Sequence, residues 1–418
     1  FVTHPRYGAR NCVPRGPMRI LMISDVYFPR VNGVSTSIRT FRRELIALGH
    51  RVTLVAPQYA AAADDDSDIF RIPSRGVPRD PEDRMMKRGA IDRLHARFQA
   101  GDYDVVHIQT PFIAHYAGVA LARCLGLPAV ESYHTFFEEY LYHYVPIVPK
   151  AMLRLLARRV TVSQCNAVDR IISPSRAMHS ALSNYGVRTS IDILPTGLER
   201  NQFNAGDGAK FRAQQGIALD RPTLLYVGRV AHEKNIDFLL SMFAQVVRQM
   251  PQALFMIAGE GPALPHLRSE AKRLNISQSV QFIGYMNRDT ELLDCYKSGD
   301  LFVFASRTET QGLVLLEALA QGTPVVSTMH MGTRDVLEHA RGARIVDEDI
   351  AAFSGAVVEL LNDAAKRQQL AAVAPADAAK WSAREMAERL ILCYVATTNT
   401  QIVAPLAPKS APKSTFEL

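Results

Sequence analysis

Two successive series of short apolar segments, separated by helical patterns, constrain the fold of this chain more than any other feature. Strands this short and apolar are typical of doubly wound parallel sheets that are buried on both faces. Such sheets bind ligands at the carboxyl ends of their strands, so we predict an α/β fold with two of them. The first series comprises residues 20–24, 52–56, 105–108, 129–132, 170–173 and 191–194, and the second comprises 224–227, 254–258, 280–283, 301–305, 324–327 and 343–346.

The length of the chain and the break between the two series indicate two domains. A chain of 418 residues is too long for one ordinary core. The two sheets would therefore face each other across a cleft. We predict a flexible leader over residues 1–17, a first domain over 18–200, a second domain over 201–377, a helix over 378–396 that crosses back onto the first domain, and a disordered tail over 397–418.

Composition and charge exclude several classes of protein. The chain has 48% apolar and 21% charged residues, as a globular protein does, and neither an apolar run of bilayer length nor a signal-peptide pattern. We expect it in the cytoplasm, either free or peripheral to the inner face of the membrane. Five cysteines without paired spacing indicate neither disulfides nor zinc. The net charge of +7 suits an anionic partner, but nucleic-acid-binding motifs are absent and we predict no nucleic acid partner.

Two cations follow the first strand of the second series. Residues 228–235 read Gly-Arg-Val-Ala-His-Glu-Lys-Asn, so Arg229 and Lys234 lie in a glycine-led turn from strand to helix. Arginine offers a planar fork and lysine a mobile point charge, and the first amides of the helix add donors. We predict that both side chains clamp a diphosphate. Two solvated surface charges are the simpler alternative.

Two acids follow another strand of the second series. Glu309 lies in a polar turn, whereas Glu317 lies in an apolar run that predicts a buried helix. Because a buried carboxylate needs a partner, we expect a polar group opposite Glu317. Between the acids, Gly312 lets the backbone turn so that the first amides of the helix point outward, a geometry that holds phosphate.

The loops of the first series carry weaker candidates. Gly33 joins the first strand to the first helix and would let a ligand approach the backbone closely, although glycine there is often only a turn residue. His134 follows a buried strand and is predicted to touch substrate, the alternative being a structural hydrogen bond. The acid run 64–66 is interpreted as solvated surface. No other cluster has the spacing of metal ligands, so we expect neither a metal nor a cofactor.

Residues 148–160 predict a basic amphipathic helix, preceded by an aromatic stretch at 136–144. Such helices lie on anionic membrane surfaces, but an ordinary helix with a basic outer face explains the pattern equally well. A second basic segment at 71–97 slightly favours the membrane. The basic side chains predicted to meet the acceptor or the membrane are Lys150, Arg154, Arg158 and Arg159.

Several of these motifs occur together in the order of a known family. They resemble the retaining nucleotide-sugar glycosyltransferases of family four, whose GT-B fold consists of two Rossmann-like domains facing across a cleft. The resemblance covers about residues 18–395. Within the family, segments 107–112 and 133–140 are most similar to bacterial diacylglycerol glucosyltransferases. The motifs that carry it are Asn32-Gly33, Tyr133-His134-Thr135, Gly228-Arg229 with Lys234, and Glu309 through Glu317.

The resemblance implies a role for each motif. Glu309 would hold the hydroxyls of the donor sugar, Glu317 the ribose, and His134 the transferred sugar near the reacting centre. The base would rest near Tyr285 and Met286, and Tyr133 would lie on the acceptor side. The residues implied to bind the donor diphosphate and its sugar are Arg229, Lys234, Gly33, Gln311, Gly312 and Leu313, and those implied to act in catalysis are His134, Glu309, Arg229 and Lys234.

The implied activity is the metal-independent transfer of a hexose to a membrane lipid such as diacylglycerol. UDP-glucose is the favoured donor, followed by UDP-galactose and then GDP-mannose. Residues 309–312 read Glu-Thr-Gln-Gly where the family frequently has an aromatic residue, which puts the donor in doubt. A soluble or polyprenyl-linked acceptor is the alternative. A non-catalytic nucleotide-sugar binder is the remote one, because the cations and acids of the motifs are all present. Since no acid stands out as a covalent nucleophile, a front-face reaction is favoured.

Overall fold

A computed structural model gives the fold of the chain over residues 16–59, 66–77, 80–87, 89–91, 97–134, 150–288 and 290–403. Most of the predicted leader, most of the predicted tail and the aromatic stretch at 136–144 lie outside the described residues.

The first half of the chain forms a parallel sheet and a separate hairpin. The sheet has seven strands, and the hairpin pairs two short antiparallel strands. The strands in chain order are β1 (Arg19–Ile23), β2 (Arg51–Pro57), β3 (Ile69–Ile72), β4 (Ser74–Val77), β5 (Asp80–Met86), β6 (Val105–Ile108), β7 (Ala129–Ser132), β8 (Arg170–Ser173) and β9 (Ser190–Ile193). The order across the sheet is β3-β2-β1-β6-β7-β8-β9.

The second half forms a six-stranded parallel sheet. Because β10 lies between β11 and β13 in this sheet, the loops after β10 and β13 leave from adjacent strands at the same edge. Its strands are β10 (Thr223–Val227), β11 (Leu254–Ala258), β12 (Val280–Gly284), β13 (Leu301–Phe304), β14 (Val325–Ser327) and β15 (Ala343–Ile345), in the order β12-β11-β10-β13-β14-β15.

Helices connect the strands and cover the sheets. Several begin at a polar cap: the side chain of Asn32 accepts a hydrogen bond from the Ser35 amide at the start of the first helix. The helices are α1 (Gly33–Ala47), α2 (Ile113–Leu125), α3 (Lys150–Cys165), α4 (Arg176–Tyr185), α5 (Gly208–Gln214), α6 (Ile236–Gln249), α7 (Leu264–Arg273), α8 (Leu292–Ser298), α9 (Leu313–Ala320), α10 (Thr333–Leu337), α11 (Ile350–Asn362), α12 (Ala364–Ala378) and α13 (Ala383–Val403).

The prediction of two doubly wound parallel sheets is confirmed, with small shifts at the ends of the strands. The prediction missed β3 and the hairpin β4-β5. β4 and β5 lie in the basic segment 71–97, whose charge slightly favours the membrane, and β3 ends at its start; Arg and Asp in these strands interrupt the apolar pattern that indicates a buried strand.

The last helix, α13, packs against the first sheet. Met386, Leu390 and Tyr394 are buried in the same cluster as Ile20 and Val105 of that sheet. The chain passes between the two halves at residues 194–198 and returns at 381–383. The amide of Leu198 donates to the carbonyl of Trp381 (2.7 Å), and the amide of Ala383 donates to the carbonyl of Leu198 (2.9 Å). The two crossings therefore lie side by side.

Candidate active site

The loop after β10 is held tightly against the loop after β11. The Gly228 amide donates to Ala258 (3.0 Å) and the Val230 amide to Glu260 (2.9 Å). A Cβ on Gly259 would lie 2.0 Å from the Gly228 carbonyl oxygen, and the φ of Gly259 is +131°. Only glycine permits this approach. The loop that carries Arg229 is therefore fixed by backbone contacts before any ligand binds.

Lys234 and Glu309 meet at the carboxyl ends of β10 and β13. The Lys234 Nζ lies 2.6 Å from Oε1 of Glu309, and both side chains are largely buried. Next to Lys234, Asn235 adopts the left-handed conformation, and its side-chain amide donates to the Ala305 carbonyl (3.1 Å) and to Glu348 (3.0 Å). The turn before α6 is thereby tied to the end of β13. A cation and a carboxylate in this position can bind the phosphate and hydroxyl groups of a ligand.

Gly312 is the N-cap of α9 and adopts the left-handed conformation, with φ of +88°. The first amides of α9 are therefore at the same edge as Lys234 and Glu309. Glu317, inside α9, is 3% exposed. It accepts a hydrogen bond from the Tyr296 hydroxyl (2.7 Å) on one oxygen and pairs with Arg288 through the other. The polar partner predicted opposite Glu317 is confirmed, and it consists of two protein groups.

Burial raises the pKa of Tyr296 well above its ordinary value, and the neighbouring charge of Glu317 adds to this effect. The phenol therefore remains protonated and donates to the carboxylate. This arrangement compensates the buried charge of Glu317 from two sides.

The side chain of Gln311 pairs with the backbone of Thr196. Its Oε1 accepts from the Thr196 amide (2.9 Å) and its Nε2 donates to the Thr196 carbonyl (2.7 Å). Both residues are buried. The side chain that sequence reasoning assigned to donor binding therefore makes its hydrogen bonds to the segment that joins the two halves.

Three other predicted donor contacts lie around the same edge. Tyr285, after β12, is half exposed, and its hydroxyl accepts from Nη1 of Arg30 in the loop after β1 (3.2 Å). This hydrogen bond joins the two halves of the chain. Met286 and Leu313 are partly buried against the second core. They can offer an apolar surface and, at Leu313, a backbone amide.

The first sheet gathers polar groups at the carboxyl ends of β1, β6 and β7. The carboxylate of Asp25 accepts from the Thr110 hydroxyl (2.9 Å) and the Ala114 amide (3.0 Å). Burial raises the pKa of Asp25 to about 6, although these hydrogen bonds oppose the rise. His134 lies 3.3 Å from Oε1 of Gln109 through Nε2, which must be the donor because the amide oxygen only accepts.

Burial lowers the pKa of His134 to about 4. The imidazole is therefore neutral near pH 7. Behind it, His107 is buried between the Tyr394 hydroxyl of α13 (2.6 Å) and the Ser132 hydroxyl (2.9 Å). Burial, and then the proximity of His134, lowers the pKa of His107 to about 3. Both histidines can exchange hydrogen bonds with a ligand or a neighbour but carry no charge.

Gly33 and Tyr133 differ in their access to the cleft side. Gly33 is exposed at the start of α1, and a Cβ there would meet nothing within 4 Å, so a ligand can approach its backbone. Tyr133 is 4% exposed, and its hydroxyl lies 3.2 Å from that of Thr161 on α3. Tyr133, which the resemblance assigned to the acceptor side, is thus a buried residue that packs against α3.

Helix α3 presents an apolar and basic face to the outside. Met152, Leu155 and Leu156 are each more than half exposed, whereas Leu153 and Ala157 are buried. Among the predicted basic residues, Arg154 and Arg159 are exposed. Arg158 is exposed as well, but it donates to the Asn184 carbonyl (2.6 Å) and lies over the Tyr185 ring, so it caps the end of α4. The side chain of Lys150 lies outside the described residues.

One group of possible metal ligands is present in the part of the chain that the structure describes. His232, Asp237 and His266 bring their ligand atoms within 4.8 Å of one another at the surface beside the Arg229 loop. Spacing in the sequence did not indicate this group, because His266 comes from a different helix. Of the acid run at 64–66, the described Asp66 pairs with Arg42 (2.6 Å). No helix among the described residues is both long and apolar enough to cross a bilayer.

Sequence reasoning missed Arg288, Asp25 and Gln109. Gln109 follows directly after β6 and Asp25 lies two positions after β1, and these positions were a usable signal because parallel strands present their carboxyl ends at one edge. Arg288 had no such signal, since it lies in a loop and reaches Glu317 across 29 residues of sequence.

Comparisons with known proteins bear on this geometry. Two family models match the chain, Glycosyltransferase Family 4 over residues 31–202 and Glycosyl transferases group 1 over residues 207–376. The alpha-monoglucosyldiacylglycerol synthase of Streptococcus pneumoniae is 36% identical over 319 residues, which are 74% of this chain and 71% of that protein. A GDP-mannose-dependent alpha-mannosyltransferase of Mycobacterium tuberculosis is 26% identical over 330 residues, which are 77% of this chain and 81% of that protein.

A solved structure agrees with the fold. The structure of Anabaena Alr3699/HepE in complex with UDP-glucose superimposes with a TM-score of 0.69 at 17% identity, covering 92% of this chain and 99% of its own. The two family models follow each other along the two sheets described above. The chain therefore belongs to Glycosyltransferase Family 4, as a glycosyltransferase of the GT-B fold.

Proposed function

We propose that this protein is a retaining hexosyltransferase that moves glucose from UDP-glucose to a membrane lipid such as diacylglycerol. The observation that carries the proposal is the pairing of Lys234 with Glu309 (2.6 Å) beside the amino end of α9. A cation, a carboxylate and the first amides of a helix at one edge match the phosphates and sugar hydroxyls of a nucleotide sugar. The glucosyl donor and the lipid acceptor are supported by the name of the pneumococcal relative.

In this proposal the donor lies along the carboxyl edge of the second sheet. Arg229, Lys234 and the amides at Gly312 and Leu313 bind the diphosphate. Glu309 leaves its ion pair with Lys234 in part and accepts hydrogen bonds from the sugar hydroxyls. Glu317 binds the ribose, sharing its carboxylate with Arg288 and Tyr296. Tyr285 and Met286 lie against the base, while Gln311 contributes its backbone to the loop.

The reaction follows a front-face route. The bond between the anomeric carbon and the diphosphate oxygen breaks, and the acceptor oxygen forms its bond to that carbon on the same face. The proton of the acceptor hydroxyl passes to a phosphate oxygen of the departing UDP. Lys234, Arg229 and the helix amides stabilise the negative charge that builds on this leaving group. They fill the role that a divalent metal fills in other nucleotide-sugar enzymes, so the reaction proceeds without one.

His134 and Gly33 complete the site from the first sheet. Because the pKa of His134 is lowered to about 4, its ring is neutral near pH 7 and serves as a hydrogen-bonding partner for the transferred sugar. Gly33 offers its backbone to the diphosphate from an open position. Both residues belong to the opposite half of the chain from Lys234, so the site is complete only when the two halves close.

The exposed face of α3 supports a membrane-bound acceptor. Met152, Leu155 and Leu156 leave a stripe of apolar surface in the solvent, with Arg154 and Arg159 beside it. A helix of this composition can insert its apolar side into the headgroup region while the cations contact anionic lipid. We therefore propose peripheral association with an anionic membrane surface.

The donor and its site are tested with purified protein and vesicles containing diacylglycerol and phosphatidylglycerol. Labelled UDP-glucose, UDP-galactose and GDP-mannose are offered separately, with and without EDTA, and the glycolipid is analysed for its anomeric configuration. We expect an α-glucolipid from UDP-glucose that forms equally in EDTA. Lys234→Met should reduce turnover by about 100-fold or more, since charge stabilisation of the leaving group is a large part of such catalysis. Glu309→Gln should also reduce turnover, because it removes the charge that accepts hydrogen bonds from the sugar hydroxyls. Lys366→Met is the matched control, because Lys366 only pairs with Glu359 on the surface.

Other outcomes would contradict parts of the proposal. Full activity in both site variants would refute the donor site. Transfer only to a soluble sugar, or only from GDP-mannose, would favour the second function: a mannosyl- or glycosyltransferase for a soluble or polyprenyl-linked acceptor, supported by the mycobacterial relative. UDP binding without transfer to any acceptor would favour a non-catalytic nucleotide-sugar binder.

Membrane association is tested by sedimentation with the same vesicles. The double variant Leu155→Ser with Leu156→Ser should bind vesicles at least about tenfold more weakly, because it removes two exposed apolar side chains from the interface. Leu219→Ser is the control, since Leu219 is also exposed but lies on the second half of the chain. Equal vesicle binding by both variants would show that α3 does not contact the membrane.

A further inference from the structure

The side chain of Gln311 joins two segments that are 115 residues apart in the sequence. Its carbonyl oxygen accepts from the Thr196 amide (2.9 Å), and its amide nitrogen donates to the Thr196 carbonyl (2.7 Å). Gln311 and Thr196 are both buried. We call this pair of hydrogen bonds the Gln311 clasp. Its geometry requires one acceptor and one donor on the same side chain, which among residues of this length only glutamine supplies.

The clasp ends on the segment where the chain first crosses between the two halves. Thr196 lies between β9 and Leu198, whose backbone hydrogen bonds to the returning chain at Trp381 and Ala383. A Cβ on the neighbouring Gly197 would lie 2.5 Å from the Ala383 amide nitrogen, so the two crossings are in direct backbone contact. Any rotation of one half against the other must pass through this segment.

Thr196 continues the connection into the first half. Its hydroxyl donates to the Ser37 hydroxyl on α1 (2.7 Å), and both groups are buried. Helix α1 begins at Gly33. At the other end of the clasp, Gln311 lies between Glu309 and Gly312 in the loop that begins α9. A continuous series of hydrogen bonds therefore runs from the Glu309 loop through the crossing to the helix that starts at Gly33.

We propose that Gln311 is a positioning residue that couples the Glu309 loop to the segment where the chain crosses between the two halves. Donor binding at this loop then makes closure of the two halves more favourable, and closure strengthens donor binding. The inference rests on the proposed function, because it takes the donor to bind at that loop. Binding can favour closure only if the bound loop fits the closed arrangement better than the open one, and the clasp supplies a physical path for that difference. It also accounts for Gln at a position where an aromatic residue is frequent in the family.

The test separates donor binding from turnover and from closure. UDP affinity is measured by calorimetry, kcat with UDP-glucose and diacylglycerol vesicles, and closure by the decrease in radius of gyration that UDP causes in small-angle X-ray scattering. For Gln311→Met we expect kcat to fall about tenfold or more, the UDP-induced compaction to be lost, and UDP to bind about tenfold more weakly, because closure no longer contributes to binding. The phosphate contacts of Arg229, Lys234 and the α9 amides belong to the second half and remain intact, whereas Gly33 and His134 of the first half no longer reach the donor.

Gln311→Glu is a second variant that keeps the length and one acceptor, so it should retain part of the compaction and an intermediate kcat. Gln321→Met is the matched control. Gln321 is also buried, and its side-chain amide accepts from the Gly206 amide (2.9 Å) and donates to the Gln202 carbonyl, in the stretch that follows the crossing segment. It should lower the melting temperature but leave compaction and kcat close to those of the wild type.

The outcomes distinguish the inference from the proposed function. If wild-type protein binds no UDP, the proposed function fails and this inference fails with it. If wild-type protein binds UDP and Gln311→Met keeps both compaction and kcat, only the clasp is overturned. The same holds if Gln311→Met and Gln321→Met change kcat and compaction equally, because that would reduce the clasp to a contribution to stability.

Discussion

Removal of one hydroxyl, in Tyr296→Phe, tests how the buried charge of Glu317 is stabilised. The hydroxyl donates to Oε2 of Glu317 over 2.7 Å, and the two side chains are 0% and 3% exposed. Phenylalanine fills the same space, so the variant removes the hydrogen bond and leaves almost no cavity. Arg288 still pairs with the other oxygen of the carboxylate.

The expected cost follows from the charge and burial of the acceptor. A hydrogen bond to a charged group contributes about 1.5–3 kcal/mol, against about 0.5–1.5 kcal/mol for a neutral pair. For a cooperative unit of about 150–250 residues, a loss of about 2 kcal/mol lowers the melting temperature by roughly 4–8 °C. Tyr226→Phe is the matched comparison, since its fully buried hydroxyl donates to the uncharged Arg229 carbonyl (3.2 Å). Tyr226→Phe should therefore lower the free energy of unfolding by about half as much as Tyr296→Phe does.

Thermal melts of the wild type, Tyr296→Phe, Glu317→Gln and the double variant give the coupling directly. If the carboxylate charge strengthens the bond, the double-mutant cycle should yield a coupling energy of about 1 kcal/mol or more. The reasoning is refuted if Tyr296→Phe and Tyr226→Phe cost the same. It is also refuted if the cost of Tyr296→Phe is unchanged when Glu317 is already replaced by glutamine.

Three further perturbations have definite expectations. Because burial raises the pKa of Asp25 from 3.8 to about 6, the folded state holds this proton more tightly, and stability falls as pH rises through that window. In thermal melts between about pH 4 and 7, the free energy of unfolding should fall less with rising pH for Asp25→Asn than for the wild type, and the difference should reach about 3 kcal/mol. Gly259→Ala should lower the free energy of unfolding by about 3 kcal/mol or more, because its Cβ would lie 2.0 Å from a carbonyl oxygen, and it should weaken UDP binding in calorimetry. Gly355→Ala is the control: Gly355 lies on α11 with open space around it, so this variant should be as stable as the wild type or more stable. Arg176→Ala, which removes ion pairs to Asp335 and Glu338 from a half-exposed side chain, should cost less than about 1 kcal/mol in denaturant unfolding and less still at high salt.

Apart from β3, the strands of both sheets were predictable because each is a local apolar pattern. Runs such as 254–258 are apolar throughout and fully buried in the structure, so composition alone indicates a strand with helices on both faces. The hairpin β4-β5 was not predictable in this way. Its pairing joins residues of mixed polarity, and a mixed pattern does not distinguish a strand from a surface loop.

The residues of the candidate site also fall into those that local patterns indicated and those that only tertiary packing brings together. Arg229, Lys234 and Glu309 were identified from their positions after strands, and the structure brings Lys234 and Glu309 into contact across 75 residues of sequence. Glu317 was identified as an acid in need of a partner. The identity of that partner was not available, since Arg288 and Tyr296 reach it only through the packing of α8 and of the loop after β12 against α9.

The local patterns of the sequence were enough for the fold class, and they predicted the edge of the sheet that carries the candidate site and the kind of ligand that the charges at that edge can bind. These follow from local periodicity and from the rule that parallel strands present their carboxyl ends together. The tertiary structure alone decided that Gln311 holds the crossing segment, that Tyr133 lies beneath α3 and that Arg158 caps α4. Each of these depends on where side chains distant in sequence find hydrogen-bond partners once the interior is packed, and the pattern within any one segment does not contain that information.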